Sequence, residues 1–317
     1  MDQKIIERML EKVQKPARYM GGEMNTQLKP WEDAEVRFAF CFPDSYEVAM
    51  SHLGRKILYA LINEQPWALC ERVCMPWVDM IAEMEKEGVP LFSLENRNPL
   101  NVFDIVGFTL QYEMSYTNIL EMLRLGNIPI WSKDRGEDAP LVVCGGPCAF
   151  NPEPLADMVD AFMIGDGEEV MLEFLEVVRR HKAEHTSKVE CLKALARLNG
   201  VYVPSLYEAT YNEDGTLKSF TPTCPEAPAK ITKRIVRNFD KAYCQQEIPV
   251  PYTEIVHDRI MLEIMRGCTR GCRFCQAGML YRPVRERSVE RLVSIAKALE
   301  KSMGYEEISL SSLSSGD

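Results

Sequence analysis

The sequence lacks three features that would place it in other protein classes. No stretch approaches the roughly 18–20 consecutive apolar residues of a membrane-spanning helix. The charged, amphipathic N-terminus has no apolar core of a secretory signal peptide. Positive charge is not in excess either: the 317 residues carry a net charge of −10, which argues against a surface built to coat nucleic acid. We therefore expect a cytoplasmic protein without a membrane partner, and a local basic channel for nucleic acid stays open.

The sequence does contain many cysteines, eleven in all. In a chain without an export signal they predict reduced thiols and metal ligands rather than a disulfide framework. Three of them, Cys268, Cys272 and Cys275, follow one another at C-x3-C-x2-C spacing. Thiolates are the preferred ligands of iron–sulfur clusters. Three thiolates can hold three corners of a four-iron cluster and leave the fourth iron open to a substrate or cofactor.

A structural zinc site is the main alternative for these cysteines. Structural zinc sites are almost always closed and have four ligands. No histidine or further cysteine follows Cys275, so a distant cysteine would have to complete the tetrahedron. The spacing therefore favours an open cluster over zinc.

The cysteine loop, with a strand predicted before it (259–265) and a helix after it (288–303), resembles the signature of the radical S-adenosylmethionine (radical SAM) enzymes. The resemblance implies that the three cysteines bind a four-iron, four-sulfur (4Fe–4S) cluster whose open iron chelates S-adenosylmethionine. It also implies an electron donor such as flavodoxin or ferredoxin, and reductive cleavage to a 5′-deoxyadenosyl radical. Phe274, directly before the last cysteine, would pack near the adenine.

The same resemblance implies a βα barrel, of which residues 259–317 form the beginning. Where the family often carries Gly-Gly-Glu for the methionyl amino group, this chain has Ser311-Ser-Leu-Ser-Ser-Gly-Asp317. Ser314 and Asp317 are therefore the candidates for that contact. Because one and a half βα units cannot cover a parallel sheet, we expect a truncated barrel, an incomplete site and a longer natural protein.

Upstream, predicted strands and helices alternate between residues 35 and 182. This alternation indicates an α/β fold with a doubly wound, five-stranded parallel sheet, covered on both faces. The strands are predicted at 36–42, 67–73, 104–110, 141–144 and 161–164, and the helices at 48–63, 77–87, 117–126 and 168–182. Ligands of such sheets bind beyond the carboxyl ends of the strands, so the loops at that edge are candidate binding loops.

Those loops contain the series Gly-Gly-Pro at 145–147, Asn-Pro-Glu-Pro at 151–154 and Gly-Asp-Gly-Glu-Glu at 165–169. The series, directly upstream of a radical SAM loop, resembles the cobalamin-binding domain of cobalamin-dependent radical SAM proteins. The resemblance implies a cobalamin site that draws on Asp44, Ser45, His52, Gly54, Thr109, Gly145, Gly146, Pro147, Gly165, Gly167 and Glu168.

The first loop departs from cobalamin proteins that supply a lower cobalt ligand, which carry Asp-x-His-x-x-Gly. Only His52-Leu-Gly54 echoes that motif here, and Asp44 is too far from His52. Two possibilities follow: cobalamin bound without a protein ligand to cobalt, or a domain that keeps the fold without the cofactor.

The domain organisation predicted from these features has four parts. A helical lead-in (1–34) precedes a cobalamin-binding-like domain (35–182), a connector with a β-hairpin (183–258) and the start of the barrel (259–317). The leading functional prediction is a radical SAM enzyme, with cobalamin-dependent radical methylation of an unknown substrate as the favoured reaction. The alternatives are a radical SAM enzyme that modifies RNA or protein without cobalamin, and a non-catalytic cluster- or corrinoid-binding module.

Overall fold

Six strands form the main sheet in the computed structural model, which describes residues 3–315. They are β1 (Val36–Phe42), β2 (Ala68–Cys74), β3 (Ile105–Thr109), β4 (Leu141–Gly145), β5 (Ala161–Met163) and β6 (Val201–Tyr202). Their order is β2-β1-β3-β4-β5-β6, and every pairing is parallel except that of β6 with β5. The predicted doubly wound α/β fold is confirmed, with one antiparallel edge strand beyond the five strands predicted.

Helices cover both faces of this sheet. They are α1 (Gln3–Leu10), α2 (Tyr46–Ser51), α3 (Leu53–Asn63), α4 (Val78–Glu87), α5 (Tyr116–Leu125), α6 (Gly167–Glu184) and α7 (Lys188–Ala196). Successive side chains of β1 point to opposite faces, as strand geometry requires. Ala39 and Cys41 pack with α1, α4 and α5, whereas Phe38 and Phe40 pack with α3, α6 and α7. The two cores explain why the strands are apolar over nearly their whole length.

A second unit follows the connector. Its strands and helices are β9 (Ile260–Glu263), β10 (Met265–Arg266), α8 (Gln276–Leu280), β11 (Arg285–Glu286), α9 (Val289–Met303) and β12 (Ile308–Ser311). β9 and β12 pair in parallel with α9 packed against them, which is the βα arrangement predicted for this segment. The connector contributes the predicted hairpin, β7 (Tyr207–Tyr211) with β8 (Leu217–Pro222).

The single helix predicted over 48–63 is wrong, because the chain breaks at His52. The backbone there is extended (φ −80°, ψ 113°), and the imidazole Nδ1 accepts the backbone N–H of Arg55 at 3.1 Å. A side chain that caps the next turn ends one helix and begins another. The segment therefore forms α2 and α3.

Helix α7 was missed, although the sequence carries a signal for it. Ser187 accepts the backbone N–H of Glu190 at 3.3 Å, the first half of a capping box. Residues 188–196 then place Cys191, Leu192 and Leu195 in the second core. None of the helices within residues 3–315 combines the length and apolar composition that crossing a membrane requires.

One buried strand carries charge. Arg72 of β2 is almost fully buried, and its guanidinium binds Glu23 at 2.7 Å and Glu95 at 2.5 Å. Two carboxylates around one guanidinium satisfy donors that burial would otherwise leave unpaired. This network joins the N-terminal segment to the sheet.

Candidate functional site at the domain interface

A cavity of about 670 Å³ opens at the carboxyl edge of the main sheet, between that sheet and the second unit. The loops after β1, β3, β4 and β5 form one side. The other side comes from the connector at 233–235 and from 261–267, 280–285 and 311–313. The volume lies within the range of small-molecule and cofactor sites, and its place is the one expected for a doubly wound sheet.

The inner part of the cavity is apolar. Phe40, Phe108 and Val143 line it from the sheet, while Leu58 of α3 and Met171 of α6 line it from the helices. The cavity therefore continues from the strand ends into the space between the sheet and these two helices. Its charged groups, among them Glu168, Lys233 and Arg266, lie where the two units meet. This arrangement suits a ligand with one apolar end and one polar end.

Most residues that the cobalamin resemblance singled out meet at this cavity. Those that line it are His52, Gly54, Thr109, Gly145, Gly146, Pro147, Gly165, Gly167 and Glu168. Asp44 and Ser45 do not line it. The carboxylate of Asp44 accepts the Ser45 N–H at 2.6 Å, and Ser45 is the residue from which α2 begins, so both shape the turn into that helix.

Two of these glycines are explained by chain packing, without any ligand. Gly146 and Gly165 have φ of +99° and +109°, values that side-chain-bearing residues rarely adopt. A Cβ on Gly146 would lie 2.8 Å from the carbonyl oxygen of Leu110, and one on Gly165 would lie 2.2 Å from that of Arg234. These positions let two backbone segments pass close together, so they do not by themselves indicate a cofactor.

The ring of His52 uses one of its nitrogens for a hydrogen bond within the chain. Because Nδ1 accepts the Arg55 N–H at 3.1 Å, the neutral ring carries its proton on Nε2. Burial lowers the pKa of His52 to about 4, against a smaller opposing effect of Gln111, so the ring is neutral near pH 7. Gln111 in turn donates to Thr109 Oγ1 at 2.6 Å. A ring whose Nδ1 accepts a backbone N–H and whose Nε2 carries the proton is poorly suited to coordinate cobalt.

A charged cluster joins the two units beside the cavity. Arg266 binds both carboxylate oxygens of Glu168, and it also binds Glu263 at 2.8 Å and Asp166 at 3.2 Å. Arg285 binds Asp166 as well. The Gly-Asp-Gly-Glu loop therefore presents its acids to arginines of the second unit. The sequence analysis did not predict the role of either arginine. A signal was present, because Arg266 directly precedes the cysteine loop and the acidic side chains of the Gly-Asp-Gly-Glu loop would be stabilised by basic partners.

The cysteine loop lies next to this cluster. Cys272 is exposed, while Cys268 and Cys275 are half-buried. The Arg270 N–H donates to Cys268 Sγ at 3.5 Å and the Gly278 N–H donates to Cys275 Sγ at 3.4 Å. Within residues 3–315 no three His, Cys, Asp or Glu side chains are gathered closely enough to hold a metal ion. Assignment of these three cysteines as ligands stays a prediction, which their accessibility and the donated N–H groups fit.

The other eight cysteines have a different character. Six are buried, and Cys224 and Cys244 are half-buried. Burial raises the pKa of Cys74 and of Cys191 to about 11, and it raises the pKa of Cys41 well above its usual value. Neutral thiols within a core behave as small apolar side chains and are poor ligands. Only the loop offers several accessible sulfurs close in sequence.

The structure describes two of the three residues predicted to contact S-adenosylmethionine. Phe274 is 92% exposed, so its ring packs against nothing substantial within the described residues. The end of β12 does reach the cavity, through Ser311, Ser312 and Leu313. Ser314 follows directly, and its N–H donates to Ser312 Oγ at 3.2 Å. Asp317 lies outside the described residues.

Two family descriptions match the chain. Residues 54–204 match "Radical SAM proteins, N-terminal", and residues 262–315 match "Radical SAM superfamily". The first match covers most of the main sheet and the second covers the cysteine loop and β12. A curated relative, the uncharacterized protein MJ0966 of Methanocaldococcus jannaschii, is 29% identical over 235 residues, which are 73% of this chain and 43% of the relative.

Solved structures of TsrM from Kitasatospora setae share the fold. One, described as a radical S-adenosylmethionine methyltransferase with cobalamin and a [4Fe-4S] cluster bound, has a TM-score of 0.53 and 14% identity, covering 87% of this chain and 49% of that one. Another, with tryptophan substrate and an S-adenosylmethionine analog, has a TM-score of 0.52, 14% identity and covers 87% and 47%. The chain thus spans less than half the length of the relatives it matches.

Proposed function

We propose that this chain, which belongs to the radical SAM superfamily, binds a 4Fe–4S cluster at its cysteine loop and a corrinoid in the interface cavity. The reaction that this pair of cofactors supports best is radical methyl transfer with methylcobalamin as methyl donor. The observation that carries the proposal is the position of the cavity, whose walls include both the strand-end loops and the residues that flank the cysteine loop. The TsrM structures, with their cobalamin and cluster, are consistent with it.

Cys268, Cys272 and Cys275 would hold the cluster as thiolates. The cluster, when bound, supplies the electron that cleaves S-adenosylmethionine. The chain's own contribution is electrostatic: backbone N–H groups aimed at Cys268 Sγ and Cys275 Sγ stabilise negative charge on sulfur, and such hydrogen bonds tune cluster potentials. The half-buried positions of both sulfurs also limit the access of water.

The residues of the cavity fit a corrinoid without a protein ligand to cobalt. The aromatic and aliphatic side chains of the inner part would exclude water from an apolar group. Thr109 and Gln111, which are hydrogen-bonded to each other, line the cavity together with the neutral His52 and supply polar contacts without net charge. Of the two possibilities left by the sequence, the cavity favours bound cobalamin over a domain without the cofactor, and the ring orientation of His52 fits cobalamin without a histidine ligand.

The experiment that tests the proposal loads each cofactor separately. The chain is reconstituted anaerobically with iron and sulfide, desalted and assayed for both elements. Cys272→Ser should lose bound iron, whereas Cys224→Ser, a half-buried cysteine near the hairpin, should keep it. Equal iron content in the two variants would contradict the cluster assignment.

The corrinoid is tested with hydroxocobalamin. After incubation and desalting, the absorbance spectrum should show close to one corrinoid per chain. Leu58→Trp, which enlarges a side chain at the apolar wall, should reduce that amount. A chain that binds the cluster but no corrinoid would favour the alternative of a radical SAM enzyme that works without cobalamin. Absence of 5′-deoxyadenosine after S-adenosylmethionine is added to the loaded, reduced protein would favour a non-catalytic module.

A further inference from the structure

The cysteine loop is closed at its base by a two-residue ladder. β10 and β11 pair antiparallel, with Met265 opposite Glu286 and Arg266 opposite Arg285. Every residue of the cysteine loop lies between these two short strands. The position of the loop therefore depends on whether this ladder forms.

The ladder places two arginines opposite one another, which is unfavourable without a counter-charge. Arg266 and Arg285 are both largely buried, so water does not screen them fully. Their shared counter-ion is Asp166: its Oδ1 lies 3.2 Å from Arg266 Nη1, and its Oδ2 binds Arg285. Glu168, whose side chain is 6% exposed, adds two hydrogen bonds to Arg266. Glu263 adds two more, at 2.8 and 3.0 Å, but it belongs to β9, in the same unit as the loop, and so does not join the loop to the main sheet.

We propose that Asp166 and Glu168 are positioning residues for the cluster loop: by neutralising the facing arginines at its base, they fix the loop against the cavity. The identity of the loop's cofactor rests on the proposed function, but the positioning role does not. Glu168 lines the cavity and opens α6, so the same side chain meets both the cavity and the loop. Gly-Asp-Gly-Glu is thereby assigned to the loop rather than to direct binding of cobalamin.

Other ion pairs on the same helix serve as an internal comparison. Arg234 of the connector binds Glu169 at 2.9 Å and Glu173 at 2.5 Å. These pairs also join α6 to a segment outside the sheet, but they do not touch β10 or β11. Glu173→Gln is therefore the control for Glu168→Gln: both substitutions are isosteric, lie on one helix and remove one charge from an arginine pair, with Glu173 the more exposed of the two side chains.

The test is amide hydrogen exchange on the chain as isolated, without added cofactor. Glu168→Gln removes one of the two acceptors that Arg266 binds, because an amide nitrogen donates instead of accepting, and it also removes the negative charge. The substitution should therefore speed exchange in residues 267–284 by roughly tenfold. Asp166→Asn should act in the same direction. Glu173→Gln should leave that segment within about twofold of wild type. Unchanged exchange in β1 and β3 shows that each variant has folded.

A triple variant separates charge neutralisation from a merely structural role. In Glu168→Gln/Glu263→Gln/Arg266→Gln, neutral amides replace Arg266 and both of its glutamate partners, while Asp166 still pairs with Arg285, which no longer faces a second arginine. Exchange in residues 267–284 should return toward wild type. Faster exchange in the triple variant than in Glu168→Gln alone, or equal effects of Glu168→Gln and Glu173→Gln, would overturn the proposal. Since no cofactor is present, neither result depends on whether cobalamin binds.

Discussion

His52 offers a test in which one substitution separates two roles of one ring. The ring caps α3 through Nδ1 and borders the cavity, and burial lowers its pKa from 6.5 to about 4. His52→Asn keeps a side chain that caps helices well, but removes the group that titrates. The variant should therefore fold at neutral pH and differ from wild type only in acid.

The direction follows from proton binding. The unfolded chain takes up a proton on His52 as the pH falls through 6.5, whereas the folded chain does so only near pH 4. Stability from this group is thus intact above pH 6.5 and is lost between these two values. A displacement of that size corresponds to roughly 3 kcal/mol at about 1.36 kcal/mol per pH unit. Because the half-buried ring borders an open cavity, we expect about 2 kcal/mol.

The measurement is urea unfolding at about pH 7.5 and about pH 4.5 for wild type, His52→Asn and His257→Asn, a control whose ring is exposed at the same cavity. Wild type and His257→Asn should lose about 2 kcal/mol more on acidification than His52→Asn. Equal losses in all three proteins would show that the folded chain takes up a proton on His52 as readily as the unfolded chain, and would refute a neutral ring held by burial.

The same variant tests the ligand role directly. When hydroxocobalamin is loaded and reduced to the cobalt(II) form, its electron paramagnetic resonance spectrum should be the same in wild type and in His52→Asn. A nitrogen splitting that disappears with the substitution would show that cobalt coordinates this ring after all.

Two further predictions concern the scaffold. Gly165→Ala should lower the free energy of unfolding by about 1–3 kcal/mol more than Gly215→Ala, as measured by chemical unfolding. Both glycines have positive φ, but only a Cβ at Gly165 would meet a backbone oxygen, at 2.2 Å. Equal losses would mean that the Arg234 segment moves aside freely. Arg72→Met should lower the free energy of unfolding by about 3–5 kcal/mol, since it leaves two buried carboxylates without a partner. Arg124→Met, which removes solvent-exposed ion pairs, should change this free energy little.

The architecture of the sheet could be predicted because its signals are local and repeated. Strands such as Val36–Phe42 are short apolar runs, and the intervening helices have the length of a crossover connection. The pattern could not predict the features that depend on a single side chain or on tertiary pairing. His52 breaks a helix that its apolar neighbours would continue, and β6 is only two residues long, so its strand character comes from pairing with β5.

For the candidate site, too, the sequence predicts the local part but not the long-range contacts. Loops that follow parallel strands meet at one edge, so Thr109, Gly145 and Glu168 could be expected together before any coordinates were known. Their partners could not be, because Glu168 and Arg266 are 98 residues apart in the chain. The role of glycine was also underdetermined: the sequence shows that Gly165 lacks a side chain, but only the structure shows that a backbone oxygen occupies the space.

The acids and the arginines of the interface cluster differ in how far each depends on the other for stabilisation. Asp166 and Glu168 lie at the N-terminus of α6, where the helix dipole stabilises negative charge without any arginine. Arg266 and Arg285 face each other on a ladder of two residue pairs, and Asp166 is an acid that contacts both of them and so offsets their repulsion. The sheet with α6 can therefore form before the cysteine loop does, whereas the base of the loop depends on a finished α/β unit. Destabilising α6 should loosen the loop, while substitutions within the loop should leave α6 intact.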